Sequence, residues 1–364
     1  MAARRLRTVL VGCGKVGQIQ AQALARLERS ELVAVCDGQA ERAAAFAAKY
    51  GGAPFTDMAA MLREARPEAV FVCTPHPLHA GPTILAAQAG AHVLVEKPLA
   101  ASLADCDAMI AACRASGVNL GVVSQRRWFE PVVRIKEAID AGKIGAPILG
   151  VFQMFSWRDE AYYRSDPWRG RWDAEGGGVL VNQSPHMLDL LRWFLGPVEE
   201  ISGAWANLSH PYVEVEDSAV ATLRFRSGAL GSIVASLCQN PGLFTKVHVH
   251  GSNGGSLGVE TDRGATFIAG VTPIAEPPLN DLWNVPGEPP GLLEAYQRGD
   301  RARFGRVDAT THYHALQIDE FLEACLEGRP PAVTGEDGRE VVAMFTAVYR
   351  SQRDRRPVRF PVEP

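Results

Sequence analysis

A short apolar strand, Thr8-Val9-Leu10-Val11, runs directly into Gly12-Cys13-Gly14-Lys15-Val16-Gly17. Twenty positions past Gly17, a second apolar strand (Leu32 to Cys36) ends in Asp37. In such an arrangement the first glycine permits a tight turn out of the strand. The second lets the backbone approach a pyrophosphate, and the third lets the next helix pack closely on the sheet. A helix from Val16 to about Glu28, rich in Ala, Leu and Gln, would turn its free N–H groups and positive dipole end toward the phosphates. Asp37 stands where a carboxylate accepts hydrogen bonds from ribose hydroxyls. It would repel a 2′-phosphate, and Gly38-Gln39-Ala40 follow it without a cation, so NAD is favoured over NADP, with Arg42 the nearby exception. Gly12, Gly14, Lys15, Val16, Gly17 and Asp37 are the expected cofactor contacts here.

The rest of the first third supports a doubly wound sheet. Apolar strands at Val9–Val11, Leu32–Cys36, Ala69–Cys73, His92–Val95 and Asn119–Val123 alternate with Ala-rich helical stretches at Ala40–Tyr50, Asp57–Ala65, Leu78–Ala89 and Leu103–Ser116. Strands spaced by helices of this length predict βαβ units and a parallel α/β Rossmann sheet over residues 1–123, with ligands at the strand C-termini. Those ends carry Thr74-Pro75-His76, Glu96-Lys97-Pro98 and Ser124-Gln125-Arg126-Arg127.

After Arg127 the texture changes. A helix from about Pro131 to Ala141 is broken by Gly142 and Gly145. Longer alternating strands follow at Ile148–Trp157, Glu199–Leu208, Ala219–Phe225, Leu230–Leu237 and Lys246–Gly251, interrupted by a helix at Pro185–Phe194. This predicts an α+β domain over 124–364 with a large, open, mostly antiparallel sheet covered on one face. Thr272 to Gly291, rich in Pro and Gly, reads as a surface loop or subunit-contact arm, and the end returns to helix at Tyr313–Glu327 and Gly338–Arg350.

Composition narrows the partners. A net charge of −4 with scattered arginines gives no reason to expect nucleic acid or a membrane surface. No apolar run has transmembrane length, and Met1–Leu6 is too quickly interrupted for a secretory signal, so a cytoplasmic location is expected. The seven cysteines form no CxxC and no Cys/His cluster, so they read as small buried hydrophobes, and no metal site is expected.

The most chemical segment of the second half is Gly176-Gly177-Gly178-Val179-Leu180-Val181-Asn182-Gln183-Ser184-Pro185-His186-Met187-Leu188-Asp189. Three glycines could lie flat against a ligand. Asn182 and His186, four apart, share a face on a helical turn, and Asp189 could orient His186 or cap locally. Gln125, Arg127, Trp157, Tyr163 and Arg164 are weaker candidates for substrate contact.

With the glycine turn, Asp37, Thr74-Pro75 with His79, Glu96-Lys97-Pro98 and the run through His186 and Asp189, the chain resembles the Gfo/Idh/MocA family. That family includes glucose–fructose oxidoreductase, inositol dehydrogenase and the rhizopine-catabolism protein. Gly335-Glu336-Asp337-Gly338 before a helix resembles the family's C-terminal segment. The resemblance spans essentially the whole chain. It implies an enzyme that oxidises or reduces a carbinol of a sugar, anhydrosugar or cyclitol with NAD or NADP, as a dimer or tetramer through the open sheet. It implies that Lys97 hydrogen-bonds the reacting hydroxyl and that His186 is the acid/base. Trp168-Arg169 resembles a segment that touches the cofactor. Thr74, Pro75, His79 and Glu96 join the cofactor contacts, with His79 expected to pack or hydrogen-bond near the nicotinamide.

Asn182 departs from the Asp common in relatives. An Asn can hydrogen-bond a sugar hydroxyl but cannot take a proton or hold an imidazolium by charge. More weight therefore falls on Lys97 and His186. A Lys near a desolvated cofactor has a depressed pKa, and a His ordinarily titrates near the operating pH. Two alternatives stand beside dehydrogenation. One is a reductase or redox-neutral enzyme with tightly held NAD(P). The other is a non-catalytic NAD-binding sensor, which Asn182 keeps open.

Overall fold

The computed structural model describes residues 4–262, 272 and 274–364. The first sheet runs through β1 (Leu6–Val11), α1 (Lys15–Leu24), β2 (Ser30–Cys36), α2 (Ala40–Tyr50), β3 (Ala53–Phe55), α3 (Met58–Ala65), β4 (Ala69–Val72), α4 (Ala80–Gln88), β5 (His92–Val95), α5 (Leu103–Ser116) and β6 (Leu120–Val122). Its strands are all parallel, in the order β3-β2-β1-β4-β5-β6. β4 is buried at every residue, as a strand covered on both faces must be. The helices end where local chemistry stops them. Asp57 and Ser102 cap α3 and α5 by accepting from backbone N–H groups, and Gly117 closes α5 in the left-handed region. α1 stops at Leu24, short of Glu28.

The second sheet is built from α6 (Glu130–Asp140), β7 (Pro147–Phe155), α7 (Glu160–Arg164), α8 (Pro185–Leu195), β8 (Val198–Ala206), β9 (Ser218–Phe225), β10 (Leu230–Ser236), β11 (Phe244–Gly251), β12 (Ser256–Glu260), β13 (Leu279–Asn284), α9 (Leu292–Phe304), α10 (Ala309–Glu327), α11 (Gly335–Asp354) and β14 (Val358–Arg359). Strand order is β13-β12-β11-β7-β10-β9-β8-β14, antiparallel except for β7 beside β10. Burial alternates strictly along β9, so one face is covered, by α8 and α11, and the other is open.

The stretch from Thr272 to Gly291, expected as a loop or arm, contains β13, which pairs with β12 (residue 273 lies outside the described set). The prolines and glycines that suggested a loop flank the strand rather than interrupt it. Asn280 is fully buried and donates to the carbonyls of Gly258 and Pro131, so a polar residue completes the sheet edge. β12 and α9 were also not anticipated. α9 is mostly polar and carries Gly299, which hides its helical pattern. The last two helices tie the regions together. α10 packs on α1 and sets Phe321 edge-on against Phe71 of the first sheet, while α11 packs against α5, β6 and β8. A capping box of Thr334 and Asp337 starts α11. Among the described residues no helix is long and apolar enough to cross a membrane.

Candidate active site

Two depressions meet at Lys97. The first is a groove along the C-terminal edge of the parallel sheet, bordered by Gly12, Gly14, Lys15, Val16, Asp37, Thr74, Pro75, His79, Glu96, Lys97, Trp168 and Arg169. Gly12 has φ +98°, and a Cβ there would stand 2.6 Å from the Cys73 carbonyl. A Cβ at Gly17 would stand 2.2 Å from the Gly12 oxygen, so this glycine serves helix packing. Gly14 has nothing within 4 Å of its missing Cβ, and it opens α1 with no side-chain cap. The first N–H groups of α1 thus face a bare groove, which fits a pyrophosphate. Asp37 accepts from the N–H groups of Cys13 (2.9 Å) and Gln39 (3.0 Å), and the Arg42 guanidinium lies 3.6 Å away. Arg42 is therefore already matched by the carboxylate that faces the ribose position. The residues present fit NAD.

His79 is buried, and its ring spans two loops. It touches the Thr74 carbonyl on one side (2.9 Å) and the Pro98 and Leu99 carbonyls on the other (3.1 Å each). It fixes the groove wall beside Lys97. Glu96 accepts from the Gln20 amide (2.6 Å) and the Lys97 N–H (3.1 Å). Lys15 and Arg169 both pair with Asp166, at 3.3 and 3.0 Å. Burial pushes the Cys13 thiol up to about 12, as expected of a packing cysteine.

The second depression is a cleft between the sheets. Lys97, Gln125, Asn182 and His186 line it, as the sequence suggested. The Lys97 ammonium donates to the Asn182 carbonyl at 2.9 Å. Burial lowers the Lys97 amine to about 8; Glu96 opposes the fall, and Arg126, Arg169 and Arg158 add to it. His186 lies in the first turn of α8, and burial holds its imidazole well below the usual range, with Arg126, Lys97 and His314 pushing the same way. Its Nδ1 and the Gln125 Oε1 are buried without a protein partner. Asn182 sits in a wide turn, Val179–Gln183, rather than on α8, yet it reaches the same cleft.

Several expectations are corrected. Arg127 is buried in an ion pair with Asp189 (2.5 and 2.8 Å) and faces away from the cleft; its neighbour Arg126 lines it. Asp189 is taken by Arg127 and Ser124, so it does not orient His186. Tyr163 lies against His210 and Tyr212, outside the cleft, while Tyr162 lines it. The glycine run lines neither depression and packs against the chain itself. A Cβ at Gly177 would stand 2.2 Å from the Tyr349 hydroxyl, and one at Gly178 would stand 1.9 Å from the Glu216 carbonyl. The buried Glu216 carboxylate accepts from the Gly178 and Leu180 N–H groups and from Tyr349, and burial raises it to about 7. These glycines let the chain close over Glu216 and so position Asn182.

Arg126 and Gln183 lay in segments the sequence pointed to without being named as contacts, and Arg158, Tyr162 and His314 were missed; all five line the cleft. Glu175 was missed as well, and its buried carboxylate accepts from the Asn182 amide and the Gly170 N–H. Burial raises the Glu175 carboxyl. The signal for it was its place just before the glycines. Outside the cleft, ligand atoms of His210, Asp217 and Cys238 lie within 4.8 Å of one another. Both His210 nitrogens are engaged there, by Asp217 and by the Arg158 carbonyl (2.8 Å each), so the cluster supports the backbone of a cleft residue.

Residues 6–124 match the family described as "Oxidoreductase family, NAD-binding Rossmann fold", and residues 132–256 match the GFO/IDH/MocA C-terminal domain. The chain is 29% identical over 362 residues to myo-inositol 2-dehydrogenase of Thermotoga maritima, covering 97% of this chain and 98% of that one. It is 29% identical over 369 residues to D-apiose dehydrogenase of Paraburkholderia graminis, covering 98% and 90%. Among solved structures, the WlbA dehydrogenase of Bordetella pertussis, in complex with NADH and UDP-GlcNAcA, superposes with a TM-score of 0.87 at 31% identity, both chains being covered fully. With its NAD groove, its two sheets and these matches across the chain, the protein belongs to the GFO/IDH/MocA family of NAD-dependent oxidoreductases.

Proposed function

We propose that the protein oxidises, reversibly, a secondary hydroxyl of a sugar, anhydrosugar or cyclitol, with Lys97 and His186 handling that hydroxyl. The observation that carries this reading is the position of Lys97. It borders both the cofactor groove and the cleft, and its amine is lowered to about 8. NAD, when bound, supplies the two-electron acceptor, and the protein supplies orientation and proton handling. Near its pKa, a Lys97 amine has a free lone pair for a substantial fraction of the time, so it can take the proton of the substrate hydroxyl. The Asn182 carbonyl holds that amine in place. His186, kept neutral by burial, suits a hydrogen bond that aligns the hydroxyl better than it suits proton uptake. This reverses the emphasis that the family resemblance suggested. Asn182 is backed by the Glu175 carboxylate, so an acidic group is retained one residue further from the cleft.

Relatives named for inositol and apiose, and a solved relative holding a sugar nucleotide, support a sugar-like substrate. The test is formation of NADH absorbance against a panel of cyclitols, aldoses and sugar acids. Lys97→Met should lower turnover by about a thousandfold and His186→Ala should reduce it less. Turnover left unchanged by both substitutions would sink the assignment. We also propose self-association through the open sheet face, where Leu149 and Leu230 are cross-strand neighbours and Val220 is exposed. A monomer in sedimentation velocity would contradict it.

A further inference from the structure

A third, smaller cavity shares Lys97 and His186 with the cleft. It has a volume of about 20 Å³, and its polar walls are Lys97, Ser124, His186 and Asp189. The rest of its lining is proline, leucine, valine and glycine from the ends of the first sheet, α8 and α11. One water needs roughly 10–15 Å³ on this measure, together with two to four polar partners. His186 borders the cleft on one side and this cavity on the other. It is only 8% exposed, and its Nδ1 is fully buried with no protein partner. A buried ring nitrogen left unpaired costs stability, so a partner for it belongs in the cavity.

The hydrogen-bond capacities of the other walls decide which way a water here would point. Lys97 turns its ammonium to the Asn182 carbonyl. Ser124 gives its only hydroxyl proton to Asp189, because a carboxylate can only accept. The Ser124 oxygen is left with lone pairs. The Asp189 carboxylate has about four acceptor sites. Ser124 and the Arg127 Nε fill two on Oδ2, and a second Arg127 nitrogen fills one on Oδ1. One site stays open on Oδ1. Both groups can therefore only accept. A water between them gives both its protons to them and has only lone pairs to offer His186. Its third bond, the usual number for a buried water, is then accepted from Nδ1–H.

We propose that this cavity is the site of one structural water, which accepts from the His186 Nδ1–H and donates to Ser124 and Asp189. Asp189 makes no bond to His186 itself, and the water is the group that orients the ring. The tautomer follows: Nε2 carries no proton and presents its lone pair to the cleft. His186 thus accepts a hydrogen bond from the substrate hydroxyl. That last step rests on the sugar-oxidoreductase reading and deepens it. Ser124 and Asp189 are positioning residues, because they act on the hydroxyl only through the water and His186.

The experiment is nitrogen NMR of the full chain loaded with NADH, with isotope-labelled histidine and the His186 signals assigned by their loss in His186→Gln. Nδ1 should show the shift of a protonated ring nitrogen and Nε2 that of an unprotonated one. The Nδ1 proton should also show a rotating-frame Overhauser contact to a water. A proton on Nε2, or no water contact at Nδ1–H, overturns the proposal. In Ser124→Ala the water regains a proton that it can donate to Nδ1, so the other tautomer becomes available. The Nε2 signal should then move toward the protonated value, with NADH affinity held within a few-fold. A role for Ser124 in packing alone would leave the tautomer unchanged, and that result also overturns the proposal. Should Ser124→Ala fold poorly, the wild-type spectrum alone decides. The redox reading is judged separately, by the Lys97 variant in the NADH assay. The expected tautomer and water contact in a protein that oxidises no polyol would sink that reading and leave the water site standing.

Discussion

In the cofactor groove the chain contributes mainly backbone: a bare glycine at Gly14, uncapped N–H groups at the start of α1, and beside them the Asp37 carboxylate. In the cleft it contributes charged and polar side chains held in a buried network: Lys97 on Asn182, Asn182 on Glu175, and Tyr162 under Arg169 and Gln183. The first arrangement reads a pyrophosphate by shape. The second sets protonation and hydrogen-bond direction, which depend on several residues at once. Substitutions in the groove should therefore appear in NAD affinity, and those in the cleft in turnover, substrate KM and pH dependence.

The sharpest separation is expected at Lys97, which borders both. Lys97→Met should lower kcat by about a thousandfold, the range for removing a general base, with the NAD dissociation constant changed only a few-fold. Stopped-flow turnover together with fluorescence titration of NADH checks both halves. A large loss of NAD affinity would instead place Lys97 mainly in the groove.

A comparable effect, but on stability, is expected at Arg127. Arg127→Ala leaves Asp189 buried and unpaired and should cost about 3–5 kcal/mol in denaturant unfolding. Arg126→Ala, one residue along, should cost less stability, because its partner Asp262 keeps some solvent, and should raise substrate KM, because Arg126 lines the cleft.

This pair also shows what was legible in the sequence. The first sheet, the NAD site and the positions of Lys97, Asn182 and His186 could all be read. Each depends on a local pattern: a strand end, a glycine spacing or a helix start. Which of two adjacent arginines, or of Tyr162 and Tyr163, turns toward the cleft depends on packing across the two regions. Arg127 faces inward because Asp189 of α8 waits there, a contact 62 residues apart in sequence. The glycine run was visible, but its reason lay in Glu216 and Tyr349, far along the chain. β13 is a short edge strand, Leu279–Asn284, set among the prolines and glycines that made the whole stretch resemble a loop.

The glycines offer a smaller test of the comparison. Gly12→Ala and Gly178→Ala each place a Cβ against backbone, 2.6 Å from Cys73 and 1.9 Å from Glu216. Each should cost about 1–3 kcal/mol in stability. Gly12→Ala should weaken NAD binding, whereas Gly178→Ala should spare it and lower kcat by displacing Asn182. Paired Kd and kcat measurements distinguish them, and matching losses of NAD affinity would erase the contrast.

The smallest expected effect concerns Glu216. Its pKa is raised to about 7 in the folded chain, above the usual carboxylate value. The folded state thus holds a proton that the unfolded state has released, so the group's contribution to stability falls as pH rises from about 4.5 to 7. Glu216→Gln lacks this loss. Relative to the wild type it should gain on the order of 2 kcal/mol between pH 5 and pH 8, as measured by urea unfolding at both. A difference independent of pH would show that Glu216 is charged throughout.

The central claim is that Lys97, poised between groove and cleft, takes the substrate proton with an amine lowered to about 8. The pH dependence of kcat/KM for oxidation of the best substrate in the panel tests it most directly. Proton uptake needs the free amine, so the rate should be low near pH 6, rise through a midpoint near 8 and level off above it, and the rise should vanish in Lys97→Met. A profile flat across that range, or a rise near 8 that persists in Lys97→Met, would contradict the account.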